Sequence, residues 1–186
     1  MATTHAALGV LTALVLLPVE PSLAPAAALA AYAGGLFPDL DVAVVEHRKT
    51  LHFPEFYPLL AVAALAYAAL APSTASVGVA FFLLAAALHC LTEVFGGGLG
   101  LRPWLEDDDR GVYYHLGQRW LPPRRIIPYD GSPRDLVLCA LATLPGVVAF
   151  DGWVRNLLLA GFAVSVVYTA LRKRLVEWSP DWLLGL

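Results

Sequence analysis

The sequence predicts an all-α fold, a polytopic helical membrane bundle of about five to six helices, and three observations predict it. Apolar residues fill 59% of 186 positions and charged residues only 15%, against about a quarter charged in ordinary soluble domains. Mean hydropathy is +0.67. The apolar residues fall in six runs, punctuated by Pro, Gly and short polar stretches. No basic region or small-residue cleavage site marks the start as a signal peptide, so 1–186 reads as one integral membrane domain.

Residues 5–36 read as a helical hairpin, with arms 5–17 and 24–36 separated by Pro18, Pro21 and Pro25. Even an arm of about 16 residues reaches only roughly 24 Å, short of the roughly 30 Å hydrocarbon core, so the hairpin either thins the bilayer or is re-entrant. Residues 37–53 form a polar loop, and 54–95 hold two transmembrane helices. The first, 56–71, opens on Pro54 and Glu55 and stops at Pro72-Ser73. The second, 75–95, ends at Gly96-Gly97-Gly98.

Residues 96–134 carry most of the charge together with Trp104, Tyr113, Tyr114, Trp120 and Tyr129, the composition of a segment lying at the headgroup level. Two more transmembrane helices occupy 135–174, as apolar runs 135–150 and 153–171 joined at Asp151-Gly152 and closed by Arg172-Lys173-Arg174. The tail from Trp178 to Leu186 reads as interfacial. Cys90 and Cys139 lie in apolar runs and are expected as packed, reduced thiols.

Following the chain across the bilayer puts the N-terminus, loop 37–53, segment 96–134 and the C-terminus on one side. Of 12 Lys and Arg, all but Arg155 fall there, so that side is cytoplasmic by the positive-inside rule. The distribution orients a membrane protein and predicts no direct nucleic-acid binding. His5, Asp39, Asp41, His47, His52, His89 and Glu93 fall on the same side, although none of them entered the charge count.

Those seven residues are the predicted metal ligands. Imidazole with carboxylate is a ligand set suited to zinc and to two-metal hydrolytic centres. His89 and Glu93 are four apart, on one helix face, and ionisable groups in a membrane helix cost roughly 2.5–3.5 kcal/mol each unless paired or functional. Asp39 and Asp41 after Phe37-Pro38 could equally be a Pro-Asp turn with a capping Asp, and His5 could simply be solvated. Seven ligands exceed the four that one zinc takes, so two ions bridged by a carboxylate such as Asp39 are expected. Asp39, Asp41 and Glu93 are also the candidate catalytic carboxylates. Arg48 is a candidate for a substrate phosphate, against its plainer role as an orientation charge. Glu106 to Asp109 read as a solvated acidic turn, and His115 is left outside the site.

The pattern Thr4-His5, Phe37-Pro38-Asp39-Leu40-Asp41, His47-Arg48 with His52, and His89 followed by Glu93 and a Gly-rich stretch resembles the membrane-bound metal-dependent hydrolase family, whose members include LexA-binding, inner-membrane-associated hydrolases. Its helix element is also distantly similar to zinc-dependent phospholipase C. The resemblance implies phosphoester hydrolysis through a metal-activated water, on a lipid-like or membrane-adjacent substrate, at the cytoplasmic face of the inner membrane. Two departures stand out: Leu51-His52-Phe53 replaces a Thr-His-Ser, and Glu93 replaces an Asp. The competing readings are a metal or proton transporter, and an inactive membrane scaffold that binds a cytoplasmic partner.

Overall fold

The computed structural model describes residues 1–43 and 46–179, so most of the tail read as interfacial lies outside the described residues. Six α-helices are present among them: α1 (Ala2–Ala13), α2 (Ala24–Leu36), α3 (Phe56–Leu70), α4 (Thr74–Thr92), α5 (Pro133–Ala149) and α6 (Gly152–Trp178). Each falls on one of the six apolar runs. The chain is mostly helical, with one addition to the all-α expectation. Val112–Tyr114 (β1) and Arg119–Leu121 (β2) pair antiparallel, Tyr113 opposite Trp120.

The helix starts have local causes. At α4, the Ser73 hydroxyl accepts from the Ser76 N–H at 3.1 Å while the Ser73 N–H donates to the Ser76 hydroxyl at 3.0 Å, so two orphan donors are satisfied reciprocally. At α5, the Ser132 hydroxyl accepts from the Asp135 N–H at 3.2 Å, and Pro133 occupies the position where no donor is needed.

α4 lies at the centre, packed against α1, α2 and α3, while α5 and α6 close the other side against α1. The core between α1, α2 and α4 is built from small residues, among them Ala6, Ala13, Ala27, Ala31, Ala80 and Ala85, all fully buried. Small side chains let helix backbones approach closely, as in membrane bundles. At Gly35, beside the site, the approach is close, because an added Cβ would lie 2.6 Å from the His5 carbonyl oxygen.

The helix from Thr74 through Phe95 and α6 are long and apolar enough to cross a membrane, and Ala2–Leu16 and Phe56–Leu70 are shorter apolar helices. Leu59, Val62 and Leu70 of α3, Leu141 and Val148 of α5, and Val164 and Val167 of α6 all point outward and are exposed. Water-soluble surfaces avoid contiguous apolar area of this kind.

Candidate metal centre

Four pieces of chain meet at one end of the bundle: the first turns of α1, the turn Phe37–Ala43, loop 46–53 and the last turn of α4 with Glu93–Phe95. His89 on α4 is buried, with Nδ1 2.7 Å from the Gly35 carbonyl oxygen. A carbonyl only accepts, so Nδ1 carries a proton, and the neutral ring presents a lone pair at Nε2. His52 is fully buried, with Nδ1 2.9 Å from Asp41 Oδ2. A carboxylate also only accepts, and the neutral His52 Nε2 is left bare in the same way.

The two Nε2 atoms face each other at 3.2 Å. Asp39 Oδ1 lies 3.3 Å from His89 Nε2 and 3.8 Å from His52 Nε2, and Glu93 Oε1 lies 3.5 Å from His89 Nε2. The ligand atoms of Asp39, His52, His89 and Glu93 all lie within 4.8 Å of one another. In tetrahedral zinc, bond lengths near 2.0–2.2 Å put neighbouring ligand atoms about 3.3–3.5 Å apart. The donor set therefore fits one divalent ion. Four lone-pair groups converging on one point repel unless a cation stands among them; a proton bridges one pair, whereas a metal engages all four.

The seven expected ligands do not share one point. Asp41 is turned to the back of His52, with Oδ2 on His52 Nδ1, Oδ1 2.8 Å from His47 Nδ1, and a further bond of 3.2 Å from the Leu51 N–H. Burial opposes the charge on Asp41, but the His47 and His52 bonds outweigh it and hold the carboxyl well below the usual carboxylate range. Asp41, His47 and His52 form a second group that could hold an ion, at the cost of these hydrogen bonds. Burial also lowers the His52 pKa against the pull of Asp41, and the neutral imidazole it favours is the ligating form. Burial likewise opposes charge on Asp39, and His89 beside it more than compensates, keeping that carboxyl below its ordinary value.

His5 reaches the cluster through Glu93, with Nε2 3.2 Å from Oε1, and its ring stacks on His89 with centroids 4.0 Å apart. The Thr92 hydroxyl lies 2.7 Å from the Leu88 carbonyl oxygen and 3.2 Å from His5 Nδ1. Its position places His5 beside the four-residue set rather than in it.

Arg48, the candidate for a substrate phosphate, contacts the cluster itself. Its guanidinium turns inward, 2.7 Å from Glu93 Oε2 and 2.6 Å from the Gly97 carbonyl oxygen. The backbone there is left-handed, φ 59°, a conformation costing a non-glycine residue on the order of 1 kcal/mol. Gly96 closes the Glu93–Phe95 turn, where the helix is expected to end. An added Cβ at Gly97 would meet the Pro128 carbonyl, and one at Gly98 the Asp108 carbonyl, so these two also serve close packing within segment 96–134. The acidic turn is solvated and paired, Asp108 with Arg110 at 2.6 Å and Asp109 with Arg125 at 2.8 Å.

The β1–β2 hairpin is what the sequence reading missed. The Tyr113 N–H donates to the Arg48 carbonyl at 2.9 Å, and His115 Nε2 reaches the carbonyl oxygens of Lys49 and His52 at 3.0 and 2.9 Å. The His115 ring stacks on Phe53, centroids 4.7 Å apart. His115 is thus no ligand but a clamp on the loop that carries His52. The signal was present as Val112-Tyr113-Tyr114 and Arg119-Trp120-Leu121 around Gly117, aromatic runs flanking a turn.

Comparison with known protein families, curated proteins and solved structures returns no match for this chain. The functional reading rests on the residues and their geometry.

Proposed function

We propose that the chain is a metal-dependent hydrolase of the cytoplasmic membrane, acting on phosphoester bonds of a lipid-like substrate at the cytoplasmic face. The observation that carries this reading is the pair of buried imidazoles whose Nε2 atoms, each across the ring from a hydrogen-bonded Nδ1, face each other at 3.2 Å with two carboxylate oxygens alongside. Asp39, His52, His89 and Glu93 would hold the ion, with zinc the best fit to this set. An ion there supplies Lewis acidity, which acidifies water and neutralises charge on a phosphoryl oxygen.

The chain's own groups divide the remaining work. Asp41 fixes the His52 tautomer and ring, and Gly35 does the same for His89. Arg48 holds Glu93 by its second oxygen. Asp39 and His47 are the partly open members, with side chains 23% and 28% exposed, so a substrate enters from their side. Asp39 is then the carboxylate placed to take a proton from an attacking water. The exposed apolar faces of α3, α5 and α6 and the one-sided Lys and Arg distribution support the membrane setting and the orientation.

Elemental analysis of protein purified in detergent tests the reading together with turnover of a chromogenic phosphodiester and a phospholipid. About one transition-metal ion per chain is expected, lost with activity in Asp39→Ala and His89→Ala. Protein that binds no divalent metal, or binds it equally in both variants, overturns the proposal.

A further inference from the structure

α6 is 27 residues long, about 40 Å, and outreaches the roughly 30 Å hydrocarbon core. With the exposed Trp153 at one interface, about twenty residues bring the helix across, and Arg172, Lys173 and Arg174 emerge at the other. That end is the end of the metal centre, since Thr169 contacts Met1 just before the turn of α1 that carries His5.

A polar cleft of about 260 Å³ opens there between the Pro103–Leu105 turn and α6, lined by Arg102, Trp104, Lys173 and Glu177 among others. The Lys173 ammonium lies 5.4 Å from the Trp104 ring centre and 5.9 Å from that of Tyr129. Arg172 is engaged by Asp130 at 3.1 Å, whereas Arg102 and Lys173 have no ion-pair partner among the described residues. Among the described residues, two cations without an ion-pair partner face one acid, Glu177, beside Trp104 and Tyr129. Leu105, which is exposed, also lines the cleft.

A second feature lies on the same helix. Leu159, Ala163, Val166, Ala170 and Lys173 are all exposed at a spacing that puts them in one stripe. The stripe runs down to an apolar groove of about 280 Å³ between α5 and α6, lined by Leu141, Leu144, Val147, Leu159 and Phe162. Phe162 is eleven residues from Lys173, about 16 Å along the axis, close to the roughly 15 Å depth of one leaflet.

We infer that cleft and groove together hold one anionic phospholipid, its phosphate between Arg102 and Lys173, its glycerol region against Trp104, and an acyl chain along α6 into the α5–α6 groove. Charge selects the headgroup and depth selects the chain. This rests on the membrane setting proposed above but not on hydrolysis, because none of these residues touches the metal centre.

The test is native mass spectrometry of the detergent-solubilised protein with phosphatidylglycerol, phosphatidylcholine or soluble glycerol phosphate, alongside reconstitution into phosphatidylcholine nanodiscs. Phosphatidylglycerol is expected to be retained at least about tenfold over phosphatidylcholine. The preference should vanish in the surface double variant Arg102→Gln, Lys173→Gln, with metal content unchanged, and retention of both lipids should fall in Leu144→Trp, which fills the groove. Equal retention of the two lipids, or an undiminished preference in the double variant, overturns the site while leaving the membrane setting intact. Binding of glycerol phosphate as tight as that of the lipid would reassign the cleft to a soluble ligand. Failure to enter nanodiscs would overturn the membrane setting and the lipid site together.

Discussion

The first turns of α1 touch two buried polar clusters, and the two are built on opposite principles. Thr4 donates to Asp135 Oδ1 at 2.6 Å, while the next residue, His5, faces Glu93. Around Asp135, acceptors meet donors: Oδ2 receives the Met1 ammonium at 2.7 Å and the Gly131 N–H at 2.9 Å. Close by, Asp130 receives Arg172 at 3.1 Å and the Tyr168 hydroxyl. Around His89 the acceptors outnumber the donors: the Asp39 and Glu93 oxygens and the His52 and His89 Nε2 atoms face one another, His5 reaches the near oxygen of Glu93, and Arg48 answers the far one. Burial and charge are common to both clusters. What separates a structural network from a binding site is whether its donors and acceptors close on themselves.

Substitution at the two centres gives the largest expected contrast. His89→Ala removes a proposed ion ligand and should lower divalent-metal affinity more than a hundredfold, read by competition with a chromogenic chelator. Asp135→Ala should leave that affinity within a few-fold of the parent and instead lower unfolding stability by about 3–5 kcal/mol, because a buried cation loses its partner. Chelator should destabilise the parent, by about 4 kcal/mol if the ion was present at a thousand times its Kd, and leave His89→Ala unaffected. Loss of metal in Asp135→Ala as complete as in His89→Ala would erase the distinction between the clusters. Within the metal centre the expected effects then grade with distance from the ion. Asp41→Asn keeps the ring of His52 in place but weakens its acceptor, which should cost about 10–100-fold in metal affinity. His115→Phe keeps the stack on Phe53 but frees the Lys49 and His52 carbonyls, and a loss of about tenfold or less is expected in the same assay.

How far the sequence anticipated this arrangement follows from what each feature depends on. The six helices were legible because each is an apolar run bounded by Pro, Gly or Ser, and Ser73 and Ser132 cap where their side chains can reach the next turn. The convergence of Asp39, His52, His89 and Glu93 was legible from membrane sidedness, a global rule that places loops without any knowledge of contacts. The division of labour among the seven was not. Asp41 and Asp39 are two residues apart in the same short turn, so nothing in the spacing tells which carboxylate joins the candidate ion site and which supports an imidazole from behind. Arg48 read as available because its position next to His47 suggested the surface, whereas a left-handed backbone turns the side chain onto Glu93. The hairpin that clamps the loop depends on pairing across a gap of four residues within a segment whose aromatic content reads equally well as interfacial.

The closed cluster also has a titration signature of its own, smaller than the effects above. Burial opposes the charge on Asp130, but Arg172 leads the favourable contacts, helped by the Tyr168 hydroxyl, and the carboxyl ends below its ordinary value. A carboxylate with a depressed folded pKa contributes stability in full above the unfolded value, about 3.9, and loses it as the pH falls through the folded value. Between pH 5 and 8 this contribution should be flat. Because the Asp130 side chain is about a third exposed, its pair with Arg172 is screened by solvent, and the expected contribution is about 1 kcal/mol or less. Melting of the chelated protein isolates it from the metal centre: Asp130→Asn should melt a few degrees below the parent at neutral pH, and the two should converge below about pH 4. A gap that stays constant down to pH 3 would mean that Asp130 acts through its geometry and not its charge, which would remove it from the balanced set and narrow the contrast with the metal centre to Asp135 alone.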